Sequence, residues 1–284
     1  MDKLRITPYL LCLLLFTSMV SVAQEGNVKK KADLTLTDLE FNVKDDFFKS
    51  MEWAYKGSYM QFQQTQNLVF AGLAVLSSLY FIKNDERISK QSIAKHKNEK
   101  LFRLVSDSSI FFNTPIMPMI FYAMGVTRND RKMVRFSQEY LATLTLTLIE
   151  TAAISAIPVH QRPDQNDLSF WEKAFRGQSS FPSGHVVGYS VLSFKALQFY
   201  GGYAAILPLA FAVVTAYERV HSEKHYLSDV VASGFISLLA SEGVRFAAGY
   251  KNNHPLYQWI FNHNFSIEYI RKDKVPGLLA SFTF

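Results

Sequence analysis

Six apolar segments divide the chain, at about 68–82, 110–126, 141–159, 186–200, 204–217 and 230–248, with Lys/Arg-rich or Gly/Pro-rich connections between them. Each is long enough for several helical turns, and sustained alternation of apolar and polar residues, the mark of a half-buried strand, is weak everywhere. Asn113, Pro115 and Pro118 interrupt the second segment. Proline removes an amide donor and crowds the preceding turn, so this segment is predicted to bend or split. Ahead of the six, Phe47, Phe48, Met51, Trp53 and Ala54 suggest an amphipathic helix over 47–59. From Lys251 the chain turns polar and aromatic, ending in Ser281-Phe282-Thr283-Phe284. No internal repeat or low-complexity tract is visible. The predicted fold is all-α, a bundle of about six core helices.

The first residues read as a secretory signal. Lys3 and Arg5 give a basic start, an apolar centre runs over 9–16, and Ser21-Val22-Ala23 offers small residues where a signal peptidase reads. Cleavage there would begin the mature chain at Gln24; retention as a membrane anchor is the alternative. The organisation then reads as 1–23 signal peptide, 24–66 polar and amphipathic segment, 67–250 helical domain and 251–284 tail. Cys12, inside the apolar centre, is the single cysteine. A cleaved chain therefore has no disulfide, thiolate metal site or cysteine nucleophile.

Charge narrows the choice of partner. The net charge is +6, but the basic residues concentrate in two short runs, 83–103 and 128–135. No long basic face interleaved with aromatics appears, so nucleic acid is not expected as a partner. A membrane surface or an anionic phosphate substrate accounts for the balance. The segment lengths permit bilayer spans. Against this, Glu150, Lys195, Glu242 and Arg245 fall inside apolar segments, where an unpaired charge is expensive in lipid. The basic runs also flank the second segment on both sides, against the positive-inside bias. The sequence leans toward an exported, periplasmic bundle, with integral or peripheral membrane association as the alternative.

Three motifs carry chemistry, each at an end of an apolar segment. In Arg219-x5-His225-x3-Asp229, the last two residues share a helix face. The carboxylate can then orient the imidazole through one ring nitrogen and leave the other to act as nucleophile. Arg219, in an expected loop, supplies a fork of donors for phosphate oxygens. Alone, the His–Asp pair reads more readily as a satisfied pair on a helix surface. In Pro182-Ser183-Gly184-His185, Ser183 is a candidate N-cap, and the helix start beyond it a candidate anion cradle into which His185 projects. In His160-Gln161-Arg162-Pro163, proline ends the helix and leaves Arg162 at its mouth.

Together these motifs resemble the type 2 phosphatidic acid phosphatase/vanadium haloperoxidase superfamily, whose pattern is Lys-x6-Arg-Pro, Pro-Ser-Gly-His and Ser-Arg-x5-His-x3-Asp. The resemblance covers about 140–242. It implies that His225 attacks phosphorus to form a phosphohistidine and that Asp229 orients it. His185 would protonate the leaving oxygen and later activate water. Arg162, Ser183, Gly184 and Arg219 would bind the non-bridging oxygens. No metal and no cofactor is implied for a phosphatase. The substrate is expected to be a phosphorylated small molecule or a lipid phosphate or pyrophosphate.

Two positions depart from the pattern. Ser155 stands where the family has its lysine, and Glu218 where it has a serine before the arginine. Lys173, Arg176, Lys224 and His160 are candidates to replace the missing cation. The alternatives are a vanadium-dependent haloperoxidase and a catalytically impaired member that binds phospholipid or serves as a scaffold.

Overall fold

A computed structural model describes residues 41–91, 100–159, 161–164, 179–251 and 253–261, and the backbone alone of 92–93, 264–272 and 275–283. The expected signal segment at 1–23 lies outside the described residues. Nine α-helices are present among them: α1 (Val43–Met60), α2 (Thr65–Ile93), α3 (Lys100–Phe112), α4 (Ile116–Thr127), α5 (Arg131–Ser155), α6 (Val187–Tyr200), α7 (Gly202–His221), α8 (Leu227–Ala248) and α9 (Pro255–Phe261). A 3₁₀ turn, Gly184–Val186, leads into α6.

The apolar segments account for α2 to α8. The interrupted second segment is split as expected, into α3 and α4, which meet at 67°. Caps fix other starts. The Asn42 side chain accepts from the Lys44 amide at 3.1 Å, and Asp130 from the Met133 amide at 3.0 Å, each satisfying a first-turn donor that has no acceptor within its own helix. The tail differs from expectation. Beyond α9, β1 (Asn264–Lys272) and β2 (Val275–Thr283) pair antiparallel, with Asn264 opposite Thr283 and Lys272 opposite Val275. The helical bundle thus carries an appended hairpin. Phe265, Ile267 and Tyr269 do alternate in β1, but Pro276 and Gly277 weaken the pattern in β2.

Helix α6 runs through the centre. Val187, Tyr189, Leu192 and Phe199 are fully buried there, against Phe112 of α3, Phe136 and Tyr140 of α5, and Ala212 of α7. Close approach sets the packing. A Cβ at Gly188 would lie 2.7 Å from the Phe112 carbonyl carbon, and one at Gly243 would lie 2.5 Å from the Gly57 carbonyl oxygen. Only glycine lets α6 rest on the end of α3, and α8 on α1.

The charges that argued against a bilayer are paired inside the bundle. Lys195 of α6 lies 3.4 Å from Glu139 of α5 and donates to Gln198 Oε1 and the Ser241 carbonyl, each at 2.9 Å. Arg245 of α8 approaches the same Glu139 oxygen, Oε2, at 3.2 Å, and Arg135 lies 3.3 Å from the other, Oε1. Gln198 also donates to Glu242 at 3.0 Å, Tyr257 of α9 bonds Glu242, and Gln61 donates to Glu150. Pairing of this kind removes most of the penalty for placing the helices in lipid.

The outer faces of α2 and α7 are largely apolar. Thr65–Gln91, Gly202–His221 and Leu227–Ala248 are each long and apolar enough to cross a membrane, and α3 with α4 passes as a bent pair. Leu73, Val75, Leu76 and Leu79 of α2, and Ile206, Leu209 and Val213 of α7, are all about half exposed or more. An apolar surface of that extent suits association with a membrane.

Removing Glu139 would strand three cations in the core. Glu139→Ala is expected to cost about 3 kcal/mol or more, read as a lowered thermal midpoint in detergent, and adding Lys195→Met should recover part of that loss. Unchanged midpoints would show that the network carries no such weight.

Candidate active site

The motif residues gather at the end of the bundle where α6 and α8 begin and α7 ends. His225 lies in the short connection from α7 to α8 and is fully buried. Its amide donates to the Arg219 carbonyl at 3.1 Å, so the last turn of α7 fixes its backbone. Its ring is fixed by α8. Nδ1 lies 3.1 Å from Asp229 Oδ2, and the same oxygen accepts from the Tyr226 amide at 2.9 Å. A carboxylate held by two donors assigns the proton to Nδ1 and leaves Nε2 as the lone-pair edge of the ring. Burial, with the Glu86, Asp85 and Asp229 carboxylates nearby, pushes the Tyr226 phenol above its ordinary value.

The second motif is tied to the same turn. The Ser183 amide donates to the Asp229 carbonyl at 3.1 Å, and Ser233 Oγ lies 2.7 Å from the Ser183 carbonyl. Asn113, at the end of α3, donates to the Gly184 carbonyl at 2.9 Å. Held from both sides, the 3₁₀ turn brings the His185 ring to 5.9 Å from that of His225, centroid to centroid, with the planes 60° apart. Ser183 departs from the N-cap reading. It stands at the cap position of the 3₁₀ turn, but its hydroxyl caps no amide and is buried with no hydrogen-bond partner among the described residues. The backbone at Ser183 is committed to Asp229 and Ser233 instead, which leaves the hydroxyl to face elsewhere.

The third motif approaches through the loop before His225. Arg162 follows α5 in an irregular stretch and is half-buried. Two residues on, the Asp164 amide donates to the Glu223 carbonyl at 3.0 Å, and its carboxylate pairs with Lys224. Lys224 is therefore engaged by Asp164 rather than standing in for the family lysine. Ser155 is buried near the end of α5, and its hydroxyl turns back to the Ala152 carbonyl at 2.7 Å. The other candidate cations, Lys173, Arg176 and His160, lie outside the described residues.

Arg219 is in the last turn of α7 and not in a loop. Its Nε donates to Ser106 Oγ at 2.7 Å and lies 3.2 Å from Glu218 Oε2, while a terminal nitrogen reaches Asp107 Oδ1 at 3.1 Å. Two carboxylates thus share one guanidinium, which dilutes the positive charge it can offer a phosphate. Glu218, which raised the question of an acid beside an anion site, is buried against this arginine. Ser106, Asp107, Asn113 and Ser233 have no signal in the motifs; they are ordinary polar residues that the fold brings near.

Residues 134–249 match the family model described as the PAP2 superfamily. No curated protein matches the chain significantly. Among solved structures, a match is found to the one described as the crystal structure of the first transmembrane PAP2 type phosphatidylglycerolphosphate phosphatase from Bacillus subtilis. It is 20% identical, covers 68% of this chain and 98% of that one, and has a TM-score of 0.46.

Replacing Glu218 with the serine of the family pattern should free the arginine. Glu218→Ser is expected to tighten binding of orthovanadate or phosphate by roughly two- to five-fold, the scale of one partly exposed ion pair, measured as an inhibition or dissociation constant. Weaker binding would mean that the carboxylate holds Arg219 in its working position.

Proposed function

We propose, from the match of residues 134–249 to the PAP2 superfamily model, that the protein is a phosphatase that works through a phosphohistidine, with lipid phosphates as its substrates. The observation that carries this reading is the pair of imidazoles 5.9 Å apart, one of them oriented by a buried carboxylate. A separation of that size lets a single phosphoryl group touch both rings at hydrogen-bonding reach.

In this scheme His225 Nε2 attacks phosphorus, with Asp229 stabilising the charge that develops on the ring. The bond from phosphorus to the leaving oxygen breaks, and His185 gives that oxygen its proton. Water then enters on the same side. His185 takes a proton from it, the new phosphorus–oxygen bond forms, and the phosphorus–nitrogen bond breaks, returning His225 to its starting state. Arg162, Arg219, Ser183 and the Gly184 region bind the non-bridging oxygens, where negative charge is concentrated in the transition state. Preference for a lipid over a soluble ester is supported by the apolar outer faces of α2 and α7, which suit a protein that meets its substrate at a membrane.

A second reading, reduced activity with phospholipid binding retained, draws on the sharing of Arg219 between Glu218 and Asp107 and on Ser155 in place of lysine.

The purified protein should release phosphate from a short-chain phosphatidic acid and from a chromogenic phosphomonoester, with and without chelator. His225→Ala should lower turnover at least about 10³-fold, and His185→Ala should slow it while a labelled phosphohistidine accumulates. Phospholipid binding with no turnover would favour the second reading, and bromide oxidation dependent on added vanadate would replace both.

A further inference from the structure

Helix α2 lies outside 134–249 and, on its outer face, is mainly a row of exposed apolar side chains. Near its far end, however, Asp85 and Ser89 turn inward and are almost fully buried. Asp85 Oδ1 accepts from the Ser228 amide at 3.2 Å, and Asp85 Oδ2 from the Ser228 hydroxyl at 2.5 Å, across 143 positions of sequence. Ser228 is itself fully buried, directly before Asp229 and three residues after His225.

We propose that Asp85 is a positioning residue for the His225–Asp229 pair, acting through Ser228; the proposal rests on the phosphatase reading above. First-turn amides of a helix have no acceptor within that helix, and a buried one must find a partner elsewhere. At the start of α8 the partner comes from α2. The Asp229 carbonyl is held on the other side by the Ser183 amide at 3.1 Å. The turn that aims the Asp229 carboxylate at His225 is thus clamped between α2 and the Ser183 stretch. A negative group there also complements the positive end of the α8 dipole. Loss of one clamp leaves the carboxylate free to shift by a few tenths of an ångström, enough to misdirect the ring it orients. Outer-shell partners of this kind commonly change activity by 10- to 100-fold.

The test compares Asp85→Ala, Asp85→Asn, Ser228→Ala and Ser89→Ala in the full chain, in detergent, with kcat expressed per folded protein and KM taken for a short-chain phosphatidic acid. Asp85→Ala should lower kcat by about 30-fold with KM changed by less than about threefold. Asp85→Asn should recover most of the loss, because its Oδ1 can accept from the Ser228 amide and its Nδ2 can donate to the hydroxyl. Ser228→Ala, which keeps the amide bond, should fall between, and it carries the test if Asp85→Ala does not fold. Ser89→Ala, on the same buried face, should keep the parent kcat.

Parent kcat in Asp85→Ala or, should that variant not fold, in Ser228→Ala overturns the proposal. So does an equal loss in Ser89→Ala, which would assign the effect to docking of α2. If the parent protein neither hydrolyses the lipid nor binds orthovanadate, the phosphatase reading falls first and the role of Asp85 with it.

Discussion

A carboxylate placed inside this bundle has no water to solvate it, and the buried acids Glu139, Glu242 and Asp85 are each answered by donors from a different helix. Glu139 meets Lys195 and Arg245, and Glu242 meets Gln198 and Tyr257. Asp229 meets His225 and Tyr226, and Asp85 meets Ser228. The need to satisfy these groups fixes which helix lies against which, and at what height. Apolar packing alone would tolerate several registers, since one methyl-lined groove resembles the next.

The two ends of the bundle use that constraint differently. Away from the site, the Glu139 network links α5, α6 and α8, and α9 reaches it through Tyr257. It lies about ten residues along α6 from His185, roughly 15 Å at the rise of an α-helix. At the site end, Asp229 does two jobs with different atoms: its carbonyl anchors Ser183 and its carboxylate orients His225. One residue therefore sets the distance between the two motifs as well as the direction of one imidazole. The stiffness of the first turn of α8 becomes a condition for chemistry.

Membrane association follows from the same division. Polar groups are drawn inward to one another, so the outside of α2 and α7 is left to leucine, isoleucine and valine. Charges that look prohibitive when read along the sequence are acceptable once each has a partner across the bundle. Arg219 shows the cost of proximity: a cation useful to an anionic ligand is also attractive to Glu218 and Asp107.

The helices were legible in the sequence because apolar segments of helical length, interrupted at Pro115 and Pro118, dictate them locally. The motif residues His185, His225 and Asp229 were legible because their types and spacing carry chemical meaning. The hairpin was not, since Pro276 and Gly277 blur alternation in β2. Nor were Asp85, Ser106, Asn113 and Ser233, whose importance comes only from what lies opposite them. The sequence by itself determined which segments coil and which side chains could handle a phosphate. Tertiary structure alone decided that Lys195 and Glu242 are harmless, that Lys224 is taken by Asp164, and that α2 reaches the start of α8. A hydrogen bond or ion pair depends on separation in space, and no local pattern encodes a partner 143 residues away.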